Sequence, residues 1–225
     1  MKPIQLTLLF LICLTVSKAQ ENDVGNWTTL NLQTTFSERA GFVTDINVRN
    51  YYLFNDLEQF LARTTFIYQV IPGQMSLGAG ATFVHNEAYV KGSENKRIFE
   101  ERRLHQQWIF RQQTGHLIMS HRYRFEQRFF SDRTRLRMRY QLALQYLLNG
   151  KELRKGAWYA SFNNEIMLHT TTPLYDRYRI SLGGGYAVSP SLRIELLMMW
   201  QILENSRRPQ TWLTIYKTID FSGGN

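Results

Sequence analysis

Residues 117–147 contain two stretches in which apolar and polar side chains alternate, with a short polar turn between them. In the first stretch the apolar parity is Leu117, Met119, Tyr123, Phe125 and Phe129, and the polar parity is Ser120, Arg122, Arg124, Glu126 and Arg128. In the second the apolar parity is Leu136, Met138, Tyr140, Leu142, Leu144 and Tyr146, and the polar parity is Arg135, Arg137, Arg139, Gln141 and Gln145. Successive side chains of a β-strand point to opposite faces, so each stretch predicts a strand with one apolar face and one polar, arginine-bearing face. A tilted strand crosses a bilayer in about 9–11 residues, so the pattern is typical of a transmembrane β-barrel.

The N-terminus has the pattern of a secretory signal peptide. A positive charge, an apolar run and a small-residue site follow one another between Lys2 and Ala19. We therefore predict a signal peptide at residues 1–19 and one outer-membrane β-barrel domain at residues 20–225. Cys13 is the single cysteine, so export would leave no cysteine for a disulfide or a thiolate metal site.

Alternation continues along most of the remaining chain and gives eleven candidate strands, from Trp27–Phe36 to Thr211–Phe221. No apolar run after residue 19 is long enough for a membrane-spanning helix, so insertion would need strands that close into a barrel. Single-chain bacterial barrels have an even number of strands. We therefore predict an all-β fold, an antiparallel transmembrane β-barrel of about 12 strands, with about 10 as the alternative.

The links between candidate strands fall into two sets. The shorter links are at 70–75, 111–116 and 186–191, and the longer or more polar links are at 85–99, 169–176 and 203–210. This alternation predicts that the shorter set faces the periplasm and the longer set faces the outside. Aromatic residues near the strand ends predict rings at the two lipid–water boundaries: Trp27, Tyr51, Tyr52, Trp108, Phe129, Trp158, Trp200 and Trp212.

A soluble exported barrel of the lipocalin type is an alternative interpretation of the same alternation. In that fold the apolar face points inward around a ligand, and the polar face meets water. Alternation alone fits either arrangement, so both stay open at this point.

Several segments resemble an uncharacterised outer-membrane β-barrel family. They are Asn47-Val48-Arg49, His121-Arg122-Tyr123-Arg124-Phe125-Glu126-Gln127-Arg128-Phe129 and Asn163-Asn164-Glu165. That family is common in Bacteroidota and is known as DUF2490, a domain of unknown function. The resemblance covers the whole predicted barrel and implies a protein of the bacterial outer membrane, in a Gram-negative cell, with no assigned activity. For such a barrel we expect a monomer, with outer-membrane lipid, lipopolysaccharide and the barrel-assembly machinery as partners.

The main chemical feature is a pair of arginine rows on two adjacent predicted strands: Arg122, Arg124 and Arg128, facing Arg135, Arg137 and Arg139. Like charges this close repel each other unless anionic groups lie among them. The carboxylates predicted on the same face are Asp45, Glu126, Glu165 and Glu195. The other arginines predicted to face the lumen are Arg49, Arg177, Arg179 and Arg193.

Two interpretations of this arginine-rich lumen stay open. The first is an internal salt-bridge ladder that fills a narrow barrel and makes it rigid. The second is an anion-selective lumen, or a binding site for a phosphate, a carboxylate or a lipid headgroup.

An outer-membrane enzyme acting on lipids is a weaker alternative. Lipid hydrolases built on membrane barrels place a histidine two residues from a serine, and this chain lacks that spacing. Ser120 and His121 are adjacent, so a strand would send them to opposite faces. His169 and Thr171 have the required spacing, but both fall in a predicted loop. We expect no catalytic residue, no metal and no cofactor.

The chain carries a formal net charge of +9, which would ordinarily suggest nucleic acid as a partner. Predicted export argues against that partner. The polar loops predicted outside are Asn86–Phe99, Ser131–Arg133 and Glu204–Gln210. Such loops could contact lipopolysaccharide phosphates, although charged runs of this kind are usually only solvated.

Overall fold

The computed structural model describes residues 24–222, which form eleven β-strands. The strands are β1 (Gly25–Thr35), β2 (Ala40–Tyr52), β3 (Asn55–Ile71), β4 (Met75–Tyr89), β5 (Lys96–Thr114), β6 (Leu117–Phe129), β7 (Thr134–Leu147), β8 (Trp158–His169), β9 (Tyr175–Ser189), β10 (Leu192–Leu203) and β11 (Ser206–Asp220). The predicted signal peptide and Cys13 lie outside the described residues. Within residues 24–222, no helix is long and apolar enough to cross a membrane.

The eleven strands close into a single barrel in chain order. Every neighbouring pair is antiparallel except β1 and β11, which run parallel in a register from Gly25↔Gln210 to Thr35↔Asp220. The predicted count of 12 strands, with 10 as the alternative, is therefore wrong. When each strand reverses direction, the first and last strands of an odd-numbered wall point the same way, so they can only pair in parallel.

The connections lie at two ends of the barrel. The N end, where β1 begins, carries the connections 53–54, 90–95, 130–133, 170–174 and 204–205. The C end, where β11 finishes, carries 36–39, 72–74, 115–116, 148–157 and 190–191. The predicted grouping of links by end is confirmed, but the predicted difference in length is not. Most of 85–99 and 203–210 belongs to strands, and the longest connection, 148–157, is at the C end.

The two faces of the wall differ in chemistry. Most exposed apolar side chains point outward, and Met138, Leu182 and Leu196 are each more than half exposed, whereas a smaller set that includes Leu61 and Met199 is buried inside. Charged side chains point inward, and the exposed fraction of Arg137 is only 3%. The apolar interior of a lipocalin-type barrel is therefore not the arrangement of this wall.

Two tryptophans depart from the predicted aromatic girdle. Trp27 is 2% exposed, and both Trp27 and Trp212 line the interior cavity. Their rings meet edge to face, with centroids 5.7 Å apart, at adjacent positions of the parallel β1–β11 pair. They therefore pack the inner side of this pair rather than facing a lipid boundary.

Glycines in β9 allow close packing inside the wall. A Cβ added to Gly183 would lie 2.1 Å from the backbone oxygen of Leu196, and one added to Gly185 would lie 2.3 Å from the ring of Tyr159. These positions therefore exclude larger residues, as expected where another chain segment approaches a strand closely.

The parallel pairing can be tested with a disulfide. Leu30 and Ile215 are opposite each other in the β1–β11 register, so replacing both with cysteine, in a chain with Cys13 replaced by serine, should give a cross-link on mild oxidation. In the control pair, Leu30→Cys with Ile219→Cys, the partners are offset by four residues, or about 13 Å along the strand, beyond disulfide reach. Non-reducing electrophoresis distinguishes the two, and preferential cross-linking of the control pair would refute this register.

Candidate functional site: the charged lumen

The barrel encloses a cavity of about 1240 Å³. Its lining includes 15 arginines, nine carboxylate residues and no lysine. Turns at both ends contribute to the lining, including Gln74 at the C end and Asp132 at the N end. The lumen is therefore polar along its length, and positive charge exceeds negative charge in its lining.

The structure places every predicted lumen residue inside the barrel. All the predicted arginines, with Asp45, Glu165 and Glu195, line the cavity, and Glu126 is buried against the arginines of β7. The two arginine rows face each other as the hairpin pattern indicates. Their register pairs are Arg128↔Arg135, Glu126↔Arg137 and Arg124↔Arg139.

Glu126 is at the centre of the densest set of contacts. It accepts hydrogen bonds from Arg137 Nε at 2.9 Å and from Arg139 Nη1 at 2.7 Å. Arg124 Nη1 is 3.8 Å from the same carboxylate. The exposed fraction of Glu126 is 2%, so one buried carboxylate offsets part of the mutual repulsion of three arginines.

Glu165 is the centre of a second set of contacts. Arg139 Nη2 lies 2.6 Å from it and Arg122 Nη2 lies 3.0 Å from it. A third cation, Arg179, approaches at 3.4 Å. Arg139 therefore bridges Glu126 and Glu165 and joins the two sets of contacts.

Two further carboxylates complete the network, and the sequence interpretation did not include them. Glu101 accepts hydrogen bonds from Arg103 at 2.7 Å and from Arg128 at 2.5 Å. Asp176 lies 2.8 Å from Arg137. Glu101 has the same parity as Arg103, so the alternation alone could have assigned it to the inner face. Asp176 has the wrong parity, because a β-bulge between β8 and β9 turns it inward.

We call this network the ion-pair belt. It consists of Glu101, Glu126, Glu165 and Asp176 with Arg103, Arg122, Arg124, Arg128, Arg137, Arg139, Arg177 and Arg179. Most of these side chains are nearly inaccessible to solvent, so the belt fills part of the lumen. Removing one partner from a buried ion pair leaves an uncompensated charge, so the belt holds the surrounding strands in one arrangement.

Other lumen arginines have no carboxylate partner. Within residues 24–222, Arg49, Arg111, Arg135 and Arg193 make no ion pair. Arg49 lies over the ring of Trp27, with its guanidinium carbon 3.7 Å from the ring centroid. The belt itself holds eight arginines and four carboxylates, so much of the positive excess of the lumen lies in the belt, and these unpaired arginines add to it.

The residues considered for catalysis are dispersed. Ser120 lines the cavity, whereas His121 contacts Tyr140 Oη at 2.9 Å, on the opposite face of the strand. His169 lines the cavity 3.8 Å from Asp176, and Thr171 is in the 170–174 connection. No group of three or more metal-ligating side chains occurs in the described part of the chain.

Comparison with known proteins gives one match. The profile of a family described as protein of unknown function (DUF2490) matches residues 24–212. No curated protein and no solved structure matches the chain significantly.

The ion-pair belt predicts a large effect of Glu126→Gln. The variant keeps the shape of the side chain but leaves Arg137 and Arg139 without their shared counter-charge. We expect a loss of about 3–5 kcal/mol in the free energy of unfolding, measured by urea denaturation of the folded barrel.

Asp132→Asn is the matched control, because Asp132 and Arg133 form an ion pair with side chains that are 63% and 47% exposed. Exposed pairs contribute about 0–1 kcal/mol. Equal losses in the two variants would contradict a structural role for the belt.

Proposed function

We propose that this chain, which belongs to the DUF2490 family of proteins of unknown function, is an outer-membrane β-barrel whose lumen is a narrow, anion-preferring pathway. The observation that carries the proposal is the inverted distribution of side chains, with an apolar exterior around an arginine-rich cavity. The belt holds the wall in one arrangement. Its surplus of arginines over carboxylates, together with the lumen arginines that make no ion pair, gives the lumen its preference for anions.

The apolar exterior supports a lipid environment. Leu104, Met138, Leu182 and Leu196 are 49%, 54%, 58% and 57% exposed, and they belong to four different strands. Soluble monomers rarely expose a continuous apolar surface larger than a few hundred Å². A closed wall also leaves no unpaired strand edge, which is what a hydrocarbon environment demands of a β-protein.

The charge distribution of the lumen supports anion preference. The belt holds eight arginines against four carboxylates, so it keeps a net positive charge inside the lumen. Arg111 and Arg135 are exposed side chains in the cavity lining without an ion pair in the described residues. Charged side chains that line a pore determine which ions enter it.

The proposed location also defines the surroundings of the protein. A monomeric barrel would meet outer-membrane lipid and lipopolysaccharide on its exterior, and the barrel-assembly machinery during insertion. Export through the predicted signal peptide would separate the basic chain from nucleic acid. No catalytic group, metal or cofactor takes part in this proposal.

The lipid environment predicts a position-dependent cost of charge on the exterior. Leu196→Arg, in the middle of β10, should destabilise the barrel in phospholipid vesicles by about 2–4 kcal/mol. Leu174→Arg is the control, because Leu174 is 63% exposed but lies in the 170–174 connection. Urea unfolding in vesicles measures both, and a tolerated Leu196→Arg would argue against membrane insertion.

The anion preference can be measured with the purified barrel in a planar bilayer under a salt gradient. We expect the sign of the reversal potential to show selectivity for anions. Arg135→Glu should shift this potential towards cation selectivity, because Arg135 lines the lumen without an ion pair. Arg102→Glu makes the same charge change at an exposed position outside the cavity lining and should shift it much less. An inserted barrel that stays silent, or that prefers cations, would overturn the proposed pathway.

A further inference from the structure

We propose that the mouth at the C end holds a binding site for a small soluble oxyanion, phosphate- or carboxylate-bearing, with at least two negative charges. Arg111 and Arg193 are its two anchoring residues. This inference rests on the proposed function only in taking anions as the species that enter the lumen, and it assigns them a specific docking position.

Arg111 is fixed at the rim of this mouth by its backbone. Its amide nitrogen donates to the carbonyl oxygen of Gln74, in the 72–74 connection, at 2.7 Å. Its side chain is exposed in the cavity lining. Within residues 24–222 that side chain makes no ion pair and no hydrogen bond to another side chain, so its donors are available to a ligand.

Arg193 approaches from another part of the wall. It is the second residue of β10, and its guanidinium lies over the ring of Tyr216 at 4.7 Å from the centroid. Glu195, two residues further on, lies near it but forms no ion pair with it in the described residues. That carboxylate is 3% exposed and instead accepts hydrogen bonds from Tyr216 Oη at 3.1 Å and Gln145 Nε2 at 3.4 Å.

The strand order places the two arginines on nearly opposite walls of the same mouth. In the closed wall, β5 and β10 are separated by four strands on one side and five on the other. Both side chains line the same cavity. Two like charges that face each other without a counter-ion repel, and an anion between them would replace that repulsion with attraction.

The chemistry of both groups favours an oxyanion. The guanidinium fork pairs with two oxygens of a carboxylate or phosphate at once. Neutral amide and hydroxyl groups line this half of the cavity and can donate further hydrogen bonds to the oxygens: Gln33, Gln69 and Ser120. Belt arginines are less available, because most of them already donate to carboxylates of the chain.

The 148–157 connection bounds the mouth on one side. Gln113 Nε2 donates to the carbonyl oxygen of Lys151 at 2.6 Å, and Glu152 and Leu153 contribute to the cavity lining. Glu152 is exposed and makes no ion pair with either anchoring arginine. The positive charge of the anchoring pair is therefore not cancelled by this connection.

Isothermal titration calorimetry of the full exported chain, folded in detergent micelles, tests the site with inorganic pyrophosphate and citrate as probes. We expect one equivalent of either probe to bind, and higher salt to weaken binding. The double variant Arg111→Gln/Arg193→Gln should raise the dissociation constant at least tenfold. Absence of binding to the wild-type barrel, or an unchanged constant in the double variant, would overturn the site.

Arg154→Gln is the matched control, because Arg154 is exposed in the 148–157 connection at the same end but is outside the cavity lining. It should leave the dissociation constant within twofold, and a loss as large as that of the double variant would also overturn the site. The variant Arg111→Lys/Arg193→Lys keeps both charges without the fork and should bind with intermediate affinity. If the double glutamine variant does not fold, the double lysine variant still tests the site, because an unchanged dissociation constant in it would show that the guanidinium forks are not the anchors.

The titration is independent of conduction. Binding in micelles without current in bilayers would retain the mouth site and reject the open pathway. Anion-selective current without probe binding would retain the pathway and reject the site.

Discussion

The parallel pairing of β1 with β11 is the constraint on which the rest of this barrel depends. It satisfies the backbone groups of the two edges that an eleven-stranded wall would otherwise leave open. Closure then separates the two faces of every strand, one outward and one inward. The inner side of the pairing is packed by Trp27 and Trp212, which explains why these two tryptophan rings lie inside the barrel rather than at its outer surface.

Closure forces many arginines into one enclosed space, and the ion-pair belt is the consequence. Glu126 and Glu165 each contact several arginines, and Arg139 joins them. Burying charges costs free energy that their mutual attraction must offset. The belt therefore specifies a single arrangement of β6, β7 and β8 more than it adds net stability, because few other arrangements would pair each charge.

Much of this architecture could be predicted from sequence, because apolar and polar side chains alternate along each strand and so mark its outer and inner faces. The faces of residues 117–147 followed directly from that parity. The strand number did not follow from the alternation. The expectation of an even number applies to barrels closed by an antiparallel pair, whereas this barrel is closed by a parallel pair. Asp176 was missed because a β-bulge reverses its parity locally. The contacts of Glu101 with Arg103 and Arg128 depend on side-chain conformations as well as parity, which a linear pattern does not encode.

The lumen thus separates two uses of the same residue type. Arginines at the belt share carboxylates of the chain and hold strands together, whereas Arg111 and Arg193 at the C end form no ion pair in the described residues. Because the two groups are on different parts of the strands, selection can alter the charge of the mouth without removing a belt contact. If the lumen takes up anions as proposed, substitutions at the mouth would change which anion binds while the belt keeps the same wall.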